Sequence, residues 1–151
     1  MPRTLLQGGL FFIGIAAIII GLMFVFLGAG RTADIFGAIM PLIYSGSGEM
    51  SGVDHPNADS ELRFYSVIWI GYGIVMVQTA QNLARHWVRV PFLLALFFGG
   101  GAARLISYFA AGQPHSLFIL LMIIELILPL VLGLCFIAMR RKARLTRYRR
   151  R

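Results

Sequence analysis

Two charged residues stand where this sequence is otherwise apolar: Arg104 within the run 91–110 and Glu125 within 116–139. A guanidinium and a carboxylate in lipid-like surroundings can do three kinds of chemistry. They can neutralise each other and fix helix register, the carboxylate can take up and release a proton during transport, or the guanidinium can hold an anionic head group. At 1.5 Å per residue, Arg104 lies about 10 Å and Glu125 about 14 Å from the outer ends of their runs, a difference an arginine side chain can bridge. Phe97, Gly100, Gly101, Arg104, Ser107 and Tyr108 recur at three- and four-residue steps and so share one helix face, opposite Phe98, Leu105 and Phe109. On this geometry Arg63, Tyr65, Arg104, Ser107, His115 and Glu125 are expected to converge in the outer half of a bundle, with Trp69 and Tyr72 below them. The plainest reading of the cluster is a structural ion pair beneath an interfacial belt of aromatic rings; the functional one is a small pocket with a basic rim.

The elements that must position these residues follow from composition. Of 151 residues 58% are apolar and only 13% charged, too few charges to cover a water-facing surface, so an ordinary soluble enzyme is excluded and a bilayer becomes the main solvent. Four runs, 5–28, 62–83, 91–110 and 116–139, are each long enough to cross roughly 30 Å of hydrocarbon, and none shows the period-2 alternation of a barrel strand. The sequence therefore predicts an all-α, integral membrane bundle of four transmembrane helices over 1–139, with a partly ordered outer loop at 29–61 and a polybasic tail at 140–151. Arg3, Arg85, Arg89 and the tail fall on one side of these spans, which the positive-inside rule assigns to the cytoplasm together with both termini. The run 5–28 exceeds the roughly 7–15 residues of a signal-peptide core and is read as a retained helix.

Within the loop, 35–44 is apolar but too short to span and suits an interfacial helix or turn, whereas 45–52 reads as flexible linker. Asp54, His55, Asp59 and Glu61 offer oxygen and imidazole donors without a recognised ligand spacing, so no metal site is assigned. No cofactor motif is present. Cys135, the single cysteine, has no internal disulfide partner and reads as a packing residue, which removes thiol-to-quinone oxidoreductases from consideration. Gly14, Gly21 and Gly28 repeat every seven residues as a close-packing stripe, and Pro129 lies one turn below Glu125. The tail residues Arg140, Arg141, Lys142, Arg144, Arg147, Arg149, Arg150 and Arg151 supply most of the net charge of +8. Directly after a span, they read as a topology and anionic-lipid anchor and not as a nucleic-acid surface.

The string Glu61-Leu62-Arg63-Phe64-Tyr65, then Gly71 and Gly73, Gly100-Gly101-x-x-Arg104-Leu105-x-Ser107, the Gly112-x-Pro114 link and Glu125 together resemble a family of small four-span bacterial membrane proteins known as domain of unknown function 4345. The likeness runs from about Leu5 to Met139. It implies a bacterial inner-membrane location and supplies no activity. Small multidrug exporters also carry one membrane-embedded glutamate, but in their first helix, which here has no acidic residue. The expected function is accordingly a non-enzymatic integral membrane protein, an accessory subunit or a binder of lipid or another amphipathic ligand, with membrane lipids, a membrane-protein partner or a second copy as partners. The alternative is a small proton-coupled transporter using Glu125; a membrane enzyme of unknown reaction comes third.

Overall fold

The structure is a computed structural model that describes residues 1–43, 52–53 and 55–148, with side chains described for 1–39, 52–53 and 55–142. Helix α1 (Pro2–Ile43) and helix α2 (Pro56–Gln81) form one antiparallel hairpin; helix α4 (Val90–Ala111) and helix α5 (Ser116–Tyr148) form the other. A short helix α3 (Leu83–His86) and a 3-10 turn (Trp87–Arg89) join the two. Each boundary has a local cause. Pro56 occupies the first position of α2, where its missing N–H costs nothing, and His55 Nδ1 accepts from Asn57 N. Asn82 leaves helical geometry at φ −130° and its side chain then accepts from Arg85 N, closing one helix and opening the next. Gly112, at φ 97°, ends α4 in a conformation that side chains rarely adopt.

The two hairpins meet around a core of Leu6 and Leu10 from α1, Met76 and Ala80 from α2, Val90, Leu93 and Phe97 from α4, and Leu132 and Phe136 from α5. This core occupies the half of the bundle that carries the start of α1 and the α2–α4 link. Trp69 stacks near Phe97 with centroids 6.2 Å apart, and the Tyr72 hydroxyl donates to Leu93 O at 2.8 Å, tying α2 to α4. Inside the first hairpin the backbones touch. A Cβ on Gly73 would lie 2.6 Å from Gly14 O, and one on Gly21 would lie 3.0 Å from Ser66 O, so the glycine stripe of α1 is the seam on which α2 lies.

Outward faces carry large apolar side chains such as Phe12, Phe26, Phe109 and Leu134, as lipid contact requires. Among the described residues, three stretches are long and apolar enough to cross a membrane: Pro2–Ile39, Leu83–Ala111 and Ser116–Lys142. Helix α2 has the length but a lower apolar content, because Ser66, Trp69, Tyr72, Gln78 and Thr79 lie along it.

Two boundaries differ from the sequence reading. The first helix is not followed by an irregular loop after Gly28; a second half-helix of α1 begins beyond the break there and carries the apolar stretch from Ile35 as far as Ile43. Tyr44 and the linker through Ser51 lie outside the described residues, as does Asp54. The basic tail extends α5 to Tyr148, since its Arg, Lys, Ala and Leu are good helix formers and neither Gly nor Pro interrupts them; Arg149, Arg150 and Arg151 lie outside the described residues.

Candidate functional site

Among the described residues Glu125 is the buried charge, its side chain 7% exposed. What lets it sit there is the triple glycine of α4. A Cβ on Gly101 would lie 2.9 Å from Glu125 Cβ, so α5 approaches the α4 backbone closely at this level, while Gly100 leaves space beside the carboxylate. Burying a lone carboxylate in a medium of low dielectric costs several kcal/mol, and the compensation comes from Arg104, whose Nε donates to Glu125 Oε2 at 2.8 Å. Arg104 itself is 38% exposed, with its guanidinium over the Phe118 ring at 5.6 Å from the centroid. The bond to Glu125 uses Nε, which leaves the terminal nitrogens as donors to a further acceptor. The arrangement can hold an anion; the carboxylate aims the arginine and neutralises it in part.

Arg63 belongs to a second site. At Gly28 the backbone of α1 adopts φ 80° and ψ 172°, and the helix breaks. A continuous helix would join Ala29 N to Val25 O; here each group finds a substitute on α2. Asp59 Oδ1 accepts from Ala29 N at 2.7 Å, Arg63 Nη1 donates to Val25 O at 2.6 Å, and Arg63 Nε donates to Asp59 Oδ2 at 2.7 Å. The Asp59–Arg63 pair is thus inserted into one opened backbone hydrogen bond, capping both half-helices of α1. Arg63 beside it and the Ala29 N–H hold the Asp59 carboxyl below the ordinary carboxylate value. Gly28 is required twice over, by its positive φ and because a side chain there would meet the Arg63 guanidinium.

The six residues expected to converge therefore divide. Arg104 and Glu125 pair on α4 and α5; Arg63 engages Asp59 and the α1 backbone instead. Tyr65 is exposed and packs edge-on against Phe64, Ser107 is exposed, and His115 caps α5 by accepting from Leu117 N at 3.2 Å. Similar height along the helices does not by itself pair side chains: Arg63 turns from α2 to the α1 backbone, whereas Arg104 and Glu125 meet across α4 and α5. Asp59 and Gly28 were missed as a unit. The i,i+4 spacing of Asp59 and Arg63 was the available signal, and Gly28 was hidden by its place in the glycine repeat.

At the opposite end, Arg140 lies over the Trp87 ring at 4.2 Å and Trp87 stacks on Phe136 with centroids 6.5 Å apart. Arg141 and Lys142 are exposed; Arg144 and Arg147 lie in the helical part of the tail. Cys135 packs half-buried against the core. Among the described residues, no group of three or more His, Cys, Asp and Glu gathers as a metal site.

Compared with known proteins, residues 5–136 match the family model described as a domain of unknown function (DUF4345). No curated protein and no solved structure matches the chain.

Proposed function

The chain belongs to the DUF4345 family of domains of unknown function, and from that premise we propose a non-enzymatic integral membrane protein that binds a lipid or another amphipathic ligand with an anionic head, alone or as an accessory subunit. On this reading all four long helices span. The support for α2 is that it lies backbone to backbone along α1 at Gly14 and Gly73, so the two share one slab of the bilayer. At 26 residues it is about 39 Å long, enough for the crossing. The distribution of Arg3, Arg85, Arg89 and the tail supports a topology with both termini in the cytoplasm, and a bacterial inner membrane is the proposed location.

One observation carries the binding reading: Arg104 is fixed by a buried carboxylate yet remains 38% exposed. A guanidinium held in this way presents its remaining donors with little orientational freedom left to lose on binding. The same pairing favours holding over proton transport, because a carboxylate already neutralised by an arginine needs no proton to stay in the bilayer.

Native mass spectrometry from mild detergent tests the reading. Wild-type protein is expected to retain an amphipathic anion that Arg104→Gln releases, with Arg104→Lys intermediate. Equal retention by wild type and Arg104→Gln overturns the assignment. Uptake driven by a pH gradient in proteoliposomes, abolished by Glu125→Gln, would replace it with the transporter.

A further inference from the structure

An open groove of about 470 Å³ runs between α4 and α5 on the lipid-facing side, starting one turn below Glu125 at Pro129 and lined by neither Arg104 nor Glu125. Its shape comes from what is missing. Gly133 and Ala95 contribute almost no side chain, Pro91 and Pro129 are compact, and Phe98 and Phe136 form walls. The lining is almost entirely apolar.

One end of the groove is chemically different. Phe136, which lines it, stacks on Trp87, and the Arg140 guanidinium lies over both rings, 4.2 Å from the Trp87 centroid and 5.9 Å from that of Phe136. An arginine with its flat face on an indole keeps its edge donors for a phosphate. Arg89 and Arg141 are exposed in the same region, two residues before Pro91 and immediately after Arg140 respectively. From Pro129 to Arg140 the groove and its cap extend about 16 Å along α5, close to the roughly 15 Å of one hydrocarbon leaflet.

We propose that this groove is a binding site for one anionic phospholipid of the cytoplasmic leaflet, with an acyl chain along Pro129 and Gly133 and the phosphate on Arg140. The site rests on the reading of the chain as a membrane-spanning bundle with this end at the cytoplasmic boundary, and it is separate from the ligand site at Arg104. The rim chooses the occupant: its described charges around Arg140 are of one sign, which attracts a phosphodiester and repels the same rim on a second copy.

The full-length protein in mild detergent, titrated with phosphatidylglycerol or phosphatidylcholine of identical chains and read by native mass spectrometry, tests this. Phosphatidylglycerol is expected to be retained preferentially, and Arg140→Gln is expected to weaken its retention about fivefold, the effect of one arginine near an anionic lipid surface. Gly133→Leu places its side chain in the groove from a position where a Cβ meets nothing within 4 Å; it is expected to lower retention of both lipids. Equal retention of the two lipids, no effect of Gly133→Leu, or a dimer that Gly133→Leu dissolves would each overturn the proposal, the last in favour of a second copy. Arg104→Gln is expected to leave this lipid in place. If Arg104→Gln releases it while Arg140→Gln does not, the groove proposal fails and the Arg104 reading stands; the converse result retains the groove and removes the Arg104 reading.

Discussion

The pairs Arg63–Asp59 and Arg104–Glu125 use the same chemistry at nearly the same separation, 2.7 and 2.8 Å, and do different work. The first is local. Its partners are one helical turn apart on α2, both are partly exposed, and together they occupy the two ends of a backbone hydrogen bond opened at Gly28. The second joins residues 21 apart on two helices, has a carboxylate out of reach of water, and has an arginine that faces outward as well. The lesson is that a membrane ion pair is defined by what it replaces: Asp59 and Arg63 replace a lost backbone bond, whereas Glu125 replaces the water and counterions that Arg104 would otherwise recruit.

The sharpest way to break this comparison is to remove one partner of the second pair. Arg104→Leu leaves Glu125 buried and uncompensated, and a loss of about 3–5 kcal/mol in unfolding free energy is expected, the usual effect of orphaning a buried charge. Glu125→Leu is expected to cost clearly less, because Arg104 can turn toward the interface when released. Reversible unfolding in mixed micelles reads both, and equal losses would erase the asymmetry claimed for this pair.

Helix approach comes next in size. Gly73→Ala drives a Cβ to within 2.6 Å of a backbone oxygen on α1, and Gly101→Ala to within 2.9 Å of Glu125 Cβ; each is expected to destabilise by about 1–3 kcal/mol through overpacking. Gly71→Ala, with open space around it, is expected to stay within about 0.5 kcal/mol. Thermal unfolding of the three variants in one detergent checks the order. If Gly71→Ala matched Gly73→Ala, propensity and not contact would explain the losses, and the first hairpin would not depend on its glycine seam.

The helices and the Arg104–Glu125 contact were legible in the sequence because both rest on periodicity and depth. Apolar runs bounded by Pro91, Gly112 and Pro114 fix where α4 begins and ends and where α5 begins, and a tight link makes them neighbours, so residues at matched depth on facing stripes meet. Arg63 was misplaced for the complementary reason. Depth put it at the outer mouth, but its azimuth depends on which side of α2 faces α1, and that is settled by Gly14 and Gly73, contacts between segments far apart in sequence. The helical break at Gly28 was illegible because glycine is equally at home in a close-packed seam and at positive φ. Only the position of Asp59 and Arg63 across from it separates the two roles.

The smallest effect expected is the one that tests whether the first pair works as a cap. With Arg63 42% and Asp59 28% exposed, water competes for both partners and their attraction is modest. Since the folded-state pKa of Asp59 is depressed, its charge contributes stability that is fully present above the unfolded value, near 3.8, and is lost as pH falls through the folded value. The melting temperature of wild type minus that of Asp59→Asn should therefore be constant from about pH 8 to about pH 5 and shrink only under more acidic conditions, which removes the contribution of other carboxylates common to both proteins. The asparagine still offers an oxygen to Ala29 N, so the kink itself should survive and the remaining difference should report the charge alone. A difference that stayed unchanged through acid titration would mean that Asp59 acts only as a neutral acceptor, and the contrast between the two ion pairs would reduce to one cap and one pair.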